Sequence, residues 1–198
     1  MVEVLLIRHG ETAGNIRKTA LGTTDLPLNE NGIRQAEHMR DLLSGETFEA
    51  VYSSPLIRAK TTAEIVAKPH GIGLTVVREL EERHYGDWEN IAVDDIKERF
   101  PEAYAKWQND LPDYAIPGGE TARQNFHRVA NAVETILSHH QSGTIVIVSH
   151  LGCIRNLIAY FLGKGVENAW DYNVKNGSVT KLQIEQGKNA VLAAFDII

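Results

Sequence analysis

Short runs of apolar residues alternate along this chain with longer segments in which apolar residues recur every three or four positions. The short runs have the length and the β-branched content of strands, and an unbroken apolar run is typical of a strand that is buried on both faces. Six strands are predicted, at residues 2–7, 48–52, 74–77, 144–148, 178–184 and 190–195. A turn signal at Asn176 and Gly177 precedes the last two.

The segments between these strands have helical periodicity. The clearest predicted helix covers residues 121–139, where six apolar residues lie on one face. Ser54 is expected to cap another helix, with Pro55 in its first position. Further helices are predicted at residues 29–44, with Asn29 as N-cap, and at residues 101–109 and 152–162, while residues 79–119 are otherwise the least regular. The alternation predicts an α/β fold with a mostly parallel central sheet and helices on both faces.

Composition narrows the class of protein. The chain has 198 residues, of which 43% are hydrophobic and 23% charged, so one globular domain over residues 1–198 is expected. A net charge of −6 argues against a nucleic-acid partner. No apolar run approaches the ~20 residues of a membrane span. With no signal peptide visible and Cys153 as the single cysteine, a cytoplasmic protein without a disulfide is predicted.

Basic residues and histidines stand where predicted strands end. The first strand leads into Arg8 and His9, the strand at 144–148 leads to His150, and Arg58 lies one turn beyond the second strand. Because ligands bind beyond the carboxyl ends of the strands in such sheets, we expect these four side chains to converge. Guanidinium groups suit phosphate oxygens, and the helix N-terminus near Pro55 would add free N–H groups. This pattern favours the binding and cleavage of a phosphate monoester.

Taken singly, these residues also have ordinary structural interpretations. Arg58 alone is typical of an exposed helix residue. Glu82 lies in a charged stretch, where nothing local distinguishes it from Glu81. Trp88 and Trp107 are predicted to be packing residues. The interpretation as a phosphate site therefore depends on the combination of two arginines and two histidines at strand ends.

Several short motifs occur in a fixed order between residues 8 and 150. They are Arg8-His9-Gly10-Glu11-Thr12 with Asn15, Asp25-Leu26-Pro27-Leu28, Tyr52-Ser53-Ser54-Pro55-Leu56 with Arg58, Leu80 with Glu82, Gly86-Asp87-Trp88-Glu89, Pro117-Gly118-Gly119-Glu120 and Val148-Ser149-His150. In this order they resemble the histidine phosphatase superfamily, also called the phosphoglycerate mutase-like family. The resemblance runs from residue 2 to about residue 162. The segment from Trp107 to Arg128 looks like that of the compact bacterial members, which include α-ribazole-5′-phosphate phosphatases and broad-specificity phosphatases.

The resemblance implies a phosphoglycerate mutase-like fold and a role for each catalytic position. His9 would be the nucleophile and would form a covalent phosphohistidine. Arg8, Arg58 and His150 would make a cationic pocket around the phosphate oxygens. Glu82 would donate a proton to the leaving alcohol, which requires it to be protonated in the working complex.

The resemblance also implies a set of substrate-binding positions and no metal or cofactor. Asn15 would donate a hydrogen bond to the phosphate. Leu21, Gly22, Tyr85 and Leu151 would line the pocket, and His84 is a further candidate for the wall. The remaining histidines have no metal-ligand spacing; they are His38, His70, His127, His139 and His140.

Two positions depart from the family pattern, in which glycine is common. Asn90 follows Trp88-Glu89, and asparagine tolerates the left-handed backbone that glycine would supply there. Leu151 follows His150, where a larger side chain is expected to affect substrate choice rather than chemistry.

Three functions remain open within this resemblance. A phosphatase acting on a small phosphate ester is favoured, because the segment after His150 is short; α-ribazole 5′-phosphate or a broad range of esters would be its substrate. The alternatives are a cofactor-dependent phosphoglycerate mutase and a non-catalytic module that binds a phosphorylated ligand. The sequence leaves the oligomeric state undetermined.

Overall fold

A six-stranded sheet forms the centre of the computed structural model, which describes residues 1–185 and 190–198. Its strands are β1 (Val2–Arg8), β2 (Ala50–Ser53), β3 (Leu74–Val76), β4 (Gly143–Ser149), β5 (Val179–Ile184) and β6 (Val191–Ile197). They lie in the order β3-β2-β4-β1-β5-β6. The first four in this order are parallel, whereas β5 runs antiparallel to both of its neighbours. The predicted mostly parallel sheet is confirmed.

Helices cover both faces of this sheet, as predicted. They are α1 (Ala13–Ile16), α2 (Glu30–Leu42), α3 (Ile57–Ala67), α4 (Val93–Arg99), α5 (Pro101–Asn109), α6 (Ala122–Ser138) and α7 (Leu151–Phe161). Along β1, Val4 and Leu6 pack with apolar residues of α6 and α7, whereas Leu5 and Ile7 pack with those of α2 and α3. This alternation explains why the run is apolar throughout. Among the helices described, none is long and apolar enough to cross a membrane.

The start of α3 differs from the prediction. The helix begins at Ile57 after Leu56, so Ser54 is not its N-cap and Pro55 is not its first residue. The hydroxyl group of Ser54 instead lies 2.8 Å from the Nε2 of His150. The Ile57 N–H, expected to be free, donates to the Oδ1 of Asp25 at 2.7 Å. Tertiary contacts therefore engage both groups, while the Ser54 hydroxyl keeps a long local contact in which it accepts from the Leu56 N–H at 3.3 Å.

The other predicted helices are confirmed to within a few residues, and Asn29 caps α2 through the Gly32 N–H. The prediction missed the short helices α1 and α4. Helices α4 and α5 pack through Trp88, Ile96 and Ile116 into a small apolar cluster separate from the clusters on the sheet. Asn90, at the edge of this cluster, has the left-handed backbone expected of it, with φ of 57°.

Candidate active site

A cavity of about 310 Å³ lies beside the ends of β1 and β4. Seven residues predicted for the site line it, namely Arg8, His9, Asn15, Leu21, Glu82, Tyr85 and Leu151. Three others do not line it: Gly22, Arg58 and His150. The hydrogen bonds described below connect these three to one another behind His9. The site therefore has a layer that faces the cavity and a buried layer that supports it.

His9 lies at the end of β1, and one of its two ring nitrogens is already in a hydrogen bond with the protein. Its Nδ1 lies 2.7 Å from the carbonyl oxygen of Gly10, and its side chain is nearly buried, at 3% exposure. A carbonyl oxygen only accepts, so Nδ1 carries the proton and Nε2 keeps a lone pair. Burial, together with the charges of Arg58 and Arg8, lowers the pKa of His9 well below its usual value. His9 is therefore neutral at pH 7, with Nε2 free to act as a nucleophile.

Two glycines allow the loop after β1 to lie directly against the start of α2. A Cβ atom on Gly10 would overlap the carbonyl oxygen of Gly32, and one on Gly32 would overlap the carbonyl oxygen of Glu11. The Gly10 N–H donates to Thr62 at 3.2 Å. This close approach sets the position of the Gly10 carbonyl, which in turn orients the His9 ring.

Arg8 is a positively charged residue that lines the cavity, and its Nε–H group is available to a ligand. Its Nη1 donates to the carbonyl of Val174 at 2.6 Å. Among the described residues, the buried Nε of Arg8 has no hydrogen-bond partner. Burial lowers the pKa of Arg8 to about 10, so the side chain stays charged at neutral pH. An unsatisfied, charged donor of this kind suits an anionic ligand.

Arg58 is completely buried, with every part of its guanidinium in contact with the protein. Nη1 donates to Thr24 O at 2.8 Å, Nη2 to Gly22 O at 2.6 Å, and Nε to the Nδ1 of His150 at 3.3 Å. Burial lowers the pKa of Arg58, while the charges of Glu82 and other carboxylates oppose this shift. Arg58 is therefore a fixed buried cation and not the exposed helix residue that its position alone would suggest.

His150 is neutral, and the positive charge next to it belongs to Arg58. Because Arg58 donates to its Nδ1, the proton of His150 lies on Nε2, which donates to the Oγ of Ser54. Burial and the nearby charge of Arg58 lower the pKa of His150 well below its usual value. The ring centroids of His150 and His9 are 5.0 Å apart. His150 therefore connects Arg58 to the immediate surroundings of His9.

Glu82 presents a carboxyl group to the cavity at the N-terminus of α7. Its Oε1 accepts from the Arg83 N–H at 2.8 Å and its Oε2 from the Gly152 N–H at 2.9 Å, with 5% of the residue exposed. These two N–H donors hold both oxygens of the carboxyl group in place. Glu82, and not Glu81, lines the cavity. The structure therefore distinguishes two residues that local sequence could not.

Asn15 lines the cavity from the short helix α1. Its Oδ1 lies 2.9 Å from both the N–H and the hydroxyl of Thr12 and 3.3 Å from the Nδ2 of Asn176. With the oxygen in use, the amide NH2 is the group that Asn15 offers to a ligand.

An aromatic and apolar wall completes the cavity, and much of it was missed from the sequence. Trp88 and Trp107 are packing residues, as predicted, and their ring centroids lie 5.9 Å apart, yet both also line the cavity. Arg155, four residues after Leu151 on the same face of α7, stacks 4.8 Å from the ring of Trp170. The four-residue spacing from Leu151 is the sequence feature that could have identified Arg155 as a residue of the cavity. His84 lines a separate groove instead.

A buried neutral histidine beside a charged arginine and a carboxyl group is an arrangement suited to phosphoryl transfer. The chain belongs to the histidine phosphatase superfamily (branch 1), which it matches over residues 4–197. It is similar to the adenosylcobalamin/alpha-ribazole phosphatase of Escherichia coli K12, with 35% identity over 182 residues, covering 91% of this chain and 89% of that relative.

Two further proteins show the same likeness. Phosphoserine phosphatase 1 of Hydrogenobacter thermophilus is 29% identical over 192 residues, covering 97% of this chain and 91% of the relative. The crystal structure of the alpha-ribazole phosphatase from Shigella flexneri superposes with a TM-score of 0.90 at 33% identity, covering 98% of this chain and 96% of that one. The fold and the family predicted from the sequence are both confirmed.

Proposed function

We propose that this protein hydrolyses the phosphate monoester of a small molecule through a phosphohistidine on His9. The observation that carries the proposal is the hydrogen bond from His9 Nδ1 to Gly10, which leaves Nε2 of a neutral histidine as the free nitrogen at a cavity that Arg8 also lines. Relatives that are named phosphatases and are matched over most of their length support hydrolysis.

In the first step, the Nε2 lone pair of His9 attacks the phosphorus atom. The bond between phosphorus and the ester oxygen breaks, and the departing oxygen takes a proton from Glu82. Arg8 and the amide of Asn15 bind phosphate oxygens. Arg58 adds positive potential from behind the histidines. Phosphoryl transfer depends mainly on positioning and charge stabilisation, which these groups supply.

In the second step, water attacks the phosphorus atom of the phosphohistidine. The phosphorus–nitrogen bond breaks, and its electron pair returns to Nε2. Glu82, now a carboxylate held by the N–H groups of Arg83 and Gly152, takes a proton from the water. Inorganic phosphate leaves, and both His9 and Glu82 are restored.

The wall of the cavity favours an alcohol that carries a flat, apolar group. Tyr85, Trp88, Tyr104, Trp107 and Trp170 all line it. Aromatic side chains of this kind stack on planar rings. α-Ribazole 5′-phosphate, which carries a benzimidazole, is therefore the substrate that we propose first, ahead of a broad range of esters.

A single domain and a cytoplasmic location stay predictions from the sequence.

The test is phosphate release from α-ribazole 5′-phosphate, phosphoserine, 3-phosphoglycerate and para-nitrophenyl phosphate by the wild type and by His9→Ala. EDTA is included, since no group of three or more His, Cys, Asp or Glu side chains within residues 1–185 and 190–198 is placed to hold a metal. We expect hydrolysis that is lost in His9→Ala, with an unchanged circular dichroism spectrum. Transfer of phosphate between phosphoglycerates would instead identify a mutase, and binding without turnover would identify a binding module.

A further inference from the structure

Glu89 holds a loop beside the phosphate site, residues 22–24, through four hydrogen bonds and accepts a fifth from the Tyr85 N–H. Its Oε1 accepts from the N–H groups of Thr23 at 3.0 Å and Tyr85 at 2.9 Å. Its Oε2 accepts from the N–H groups of Gly22 at 3.3 Å and Thr24 at 3.2 Å, and from the Thr24 hydroxyl at 2.8 Å. Three consecutive backbone N–H groups thus point at one carboxylate, as they do around a bound anion.

The same loop offers its carbonyl groups to Arg58. The Gly22 and Thr24 carbonyls accept from Nη2 and Nη1 of this arginine, whose Nε donates to His150. The peptide groups of the loop therefore lie between a carboxylate and a guanidinium, with N–H groups toward the negative charge and C=O groups toward the positive one. This arrangement compensates the cost of burying Arg58 as a cation.

The absence of a side chain at Gly22 allows this arrangement of the loop. A Cβ atom at this position would overlap the Glu89 carboxylate and the carbonyl oxygen of Arg83. Gly22 and Glu89 do not line the cavity, so neither is placed to touch a substrate. Their function must lie in what they hold in place.

We propose that Glu89 is a positioning residue for the phosphate site and acts through residues 22–24 on Arg58 and His150. The part of this inference that concerns catalysis at His9 rests on the proposed function. Without the carboxylate, the loop loses the acceptor that orders it, and the Gly22 and Thr24 carbonyls no longer hold the guanidinium. Arg58 then loses its fixed contact with His150, and the field around His9 weakens.

The experiment compares Glu89→Gln with Asp87→Asn, which changes an exposed acid in the short 3-10 helix Gly86–Trp88 that Glu89 directly follows. The probe is inorganic phosphate, whose affinity is measured by calorimetry and requires no turnover. Glu89→Gln is expected to weaken phosphate binding about tenfold, since it replaces a charged acceptor. It should also expose the Arg58 Nε–H to exchange in ¹H–¹⁵N spectra. Asp87→Asn should match the wild type in both measurements.

A double variant shows whether Glu89 acts through Arg58. If it does, Glu89→Gln combined with Arg58→Ala binds phosphate no more weakly than Arg58→Ala alone. Additive losses, or an Arg58 Nε–H that stays protected in Glu89→Gln, would overturn the proposal.

A milder variant keeps the test valid if Glu89→Gln does not fold. Thr24→Val removes only the hydroxyl donor to Glu89, and we expect phosphate binding about threefold weaker; unchanged binding would contradict the inference. These readouts are independent of hydrolysis. A wild type that binds phosphate with the expected pattern yet releases none from any ester would overturn the proposed function and leave the positioning role supported.

Discussion

The floor and the wall of the cavity are built in different ways. The floor consists of residues at or just beyond the strand ends: Arg8 and His9, which line the cavity, and Ser54, Arg58 and His150, which are buried behind them. The wall consists of the rings of Tyr85, Trp88, Tyr104, Trp107 and Trp170. Every floor residue makes a side-chain hydrogen bond, which joins distant parts of the chain in each case except His9, whose partner is the adjacent Gly10. The wall rings are held mainly by packing against one another, with Trp88, Tyr104 and Trp107 in a small cluster away from the sheet.

This difference separates reaction chemistry from substrate choice. Backbone pairing fixes the floor: the His9 N–H donates to the carbonyl of Ser149 at 3.1 Å, which connects the ends of β1 and β4. A change in the wall leaves that pairing intact. Floor variants should therefore affect all substrates alike, whereas wall variants should affect some substrates and spare others.

Among variants that keep His9, the largest effect is expected from Arg58→Ala, which removes the buried cation from the floor. We expect kcat/KM to fall about 10²–10³-fold for every ester, as for loss of a preorganised charge-stabilising donor. The midpoint of thermal unfolding should also fall, because the Gly22 and Thr24 carbonyls lose their donors. Kinetics across the ester panel and a melting curve test both points. Loss confined to one ester would place Arg58 with the wall.

Glu82→Gln tests the group between floor and wall. The amide cannot donate a proton as an acid does, so kcat/KM should fall about 10²-fold for alkyl phosphates. para-Nitrophenyl phosphate, whose leaving group needs little protonation, should lose only a few-fold. Glu81→Gln, at the neighbouring acid outside the cavity, is the control and should behave as the wild type. Equal losses on both kinds of ester would remove Glu82 from the acid role.

Trp107→Ala tests the wall alone. Removing one ring should lower kcat/KM about tenfold for esters with a flat aromatic group. Phosphoserine should change less than about twofold, because this change spares the contacts of the floor. Trp107→Phe is the matched control, since among the described residues the indole Nε1 has no hydrogen-bond partner. Parallel losses on all substrates would show that floor and wall are not independent.

The smallest effect is a dependence of stability on pH that originates in the floor. The pKa values of His9 and His150 are lowered in the folded state, whereas an unfolded histidine titrates near pH ~6.5. As the pH falls below that value, the unfolded chain takes up protons that the folded chain does not. Stability should therefore decrease on acidification, by at most about 1.4 kcal/mol per pH unit for each histidine.

Urea unfolding between pH 7.5 and 5 measures this slope. His9→Ala has one such histidine fewer, so its stability should fall less steeply with acidification. A variant slope equal to that of the wild type would show that His9 does not contribute.

Most of the fold and the ends of the strands could be predicted from the sequence, for reasons that are local. The apolar run of β1 and the periodicity of α6 each depend on residues that are close in the chain. The errors arose where a distant residue competed with a local role. Ser54 has the properties of an N-cap, but its hydroxyl contacts His150, 96 residues away.

The residues of the candidate site could be predicted from the sequence. Which of them face the cavity, which are buried, and which are charged could not. Family motifs identified Arg58 and His150, yet nothing local indicated that Arg58 is fully buried or that His150 is neutral. The wall was less predictable still, because Trp88 and Trp107 have the pattern of ordinary packing residues. Their exposure to a cavity depends on how α4 and α5 lie against the loops of the floor.

The sequence by itself determined how most strands and helices follow one another along the chain, and it determined the family. It also indicated that Arg8, His9, Arg58 and His150 lie at one edge of the sheet. Hydrophobic periodicity and motif order are properties of the linear chain. Only the tertiary structure decided which nitrogen of each histidine carries the proton. It also decided which glutamate faces the cavity and that Glu89 holds the loop around Arg58. The physical reason is that hydrogen bonds and burial join residues far apart in the chain, such as Arg58 and His150, separated by 92 positions.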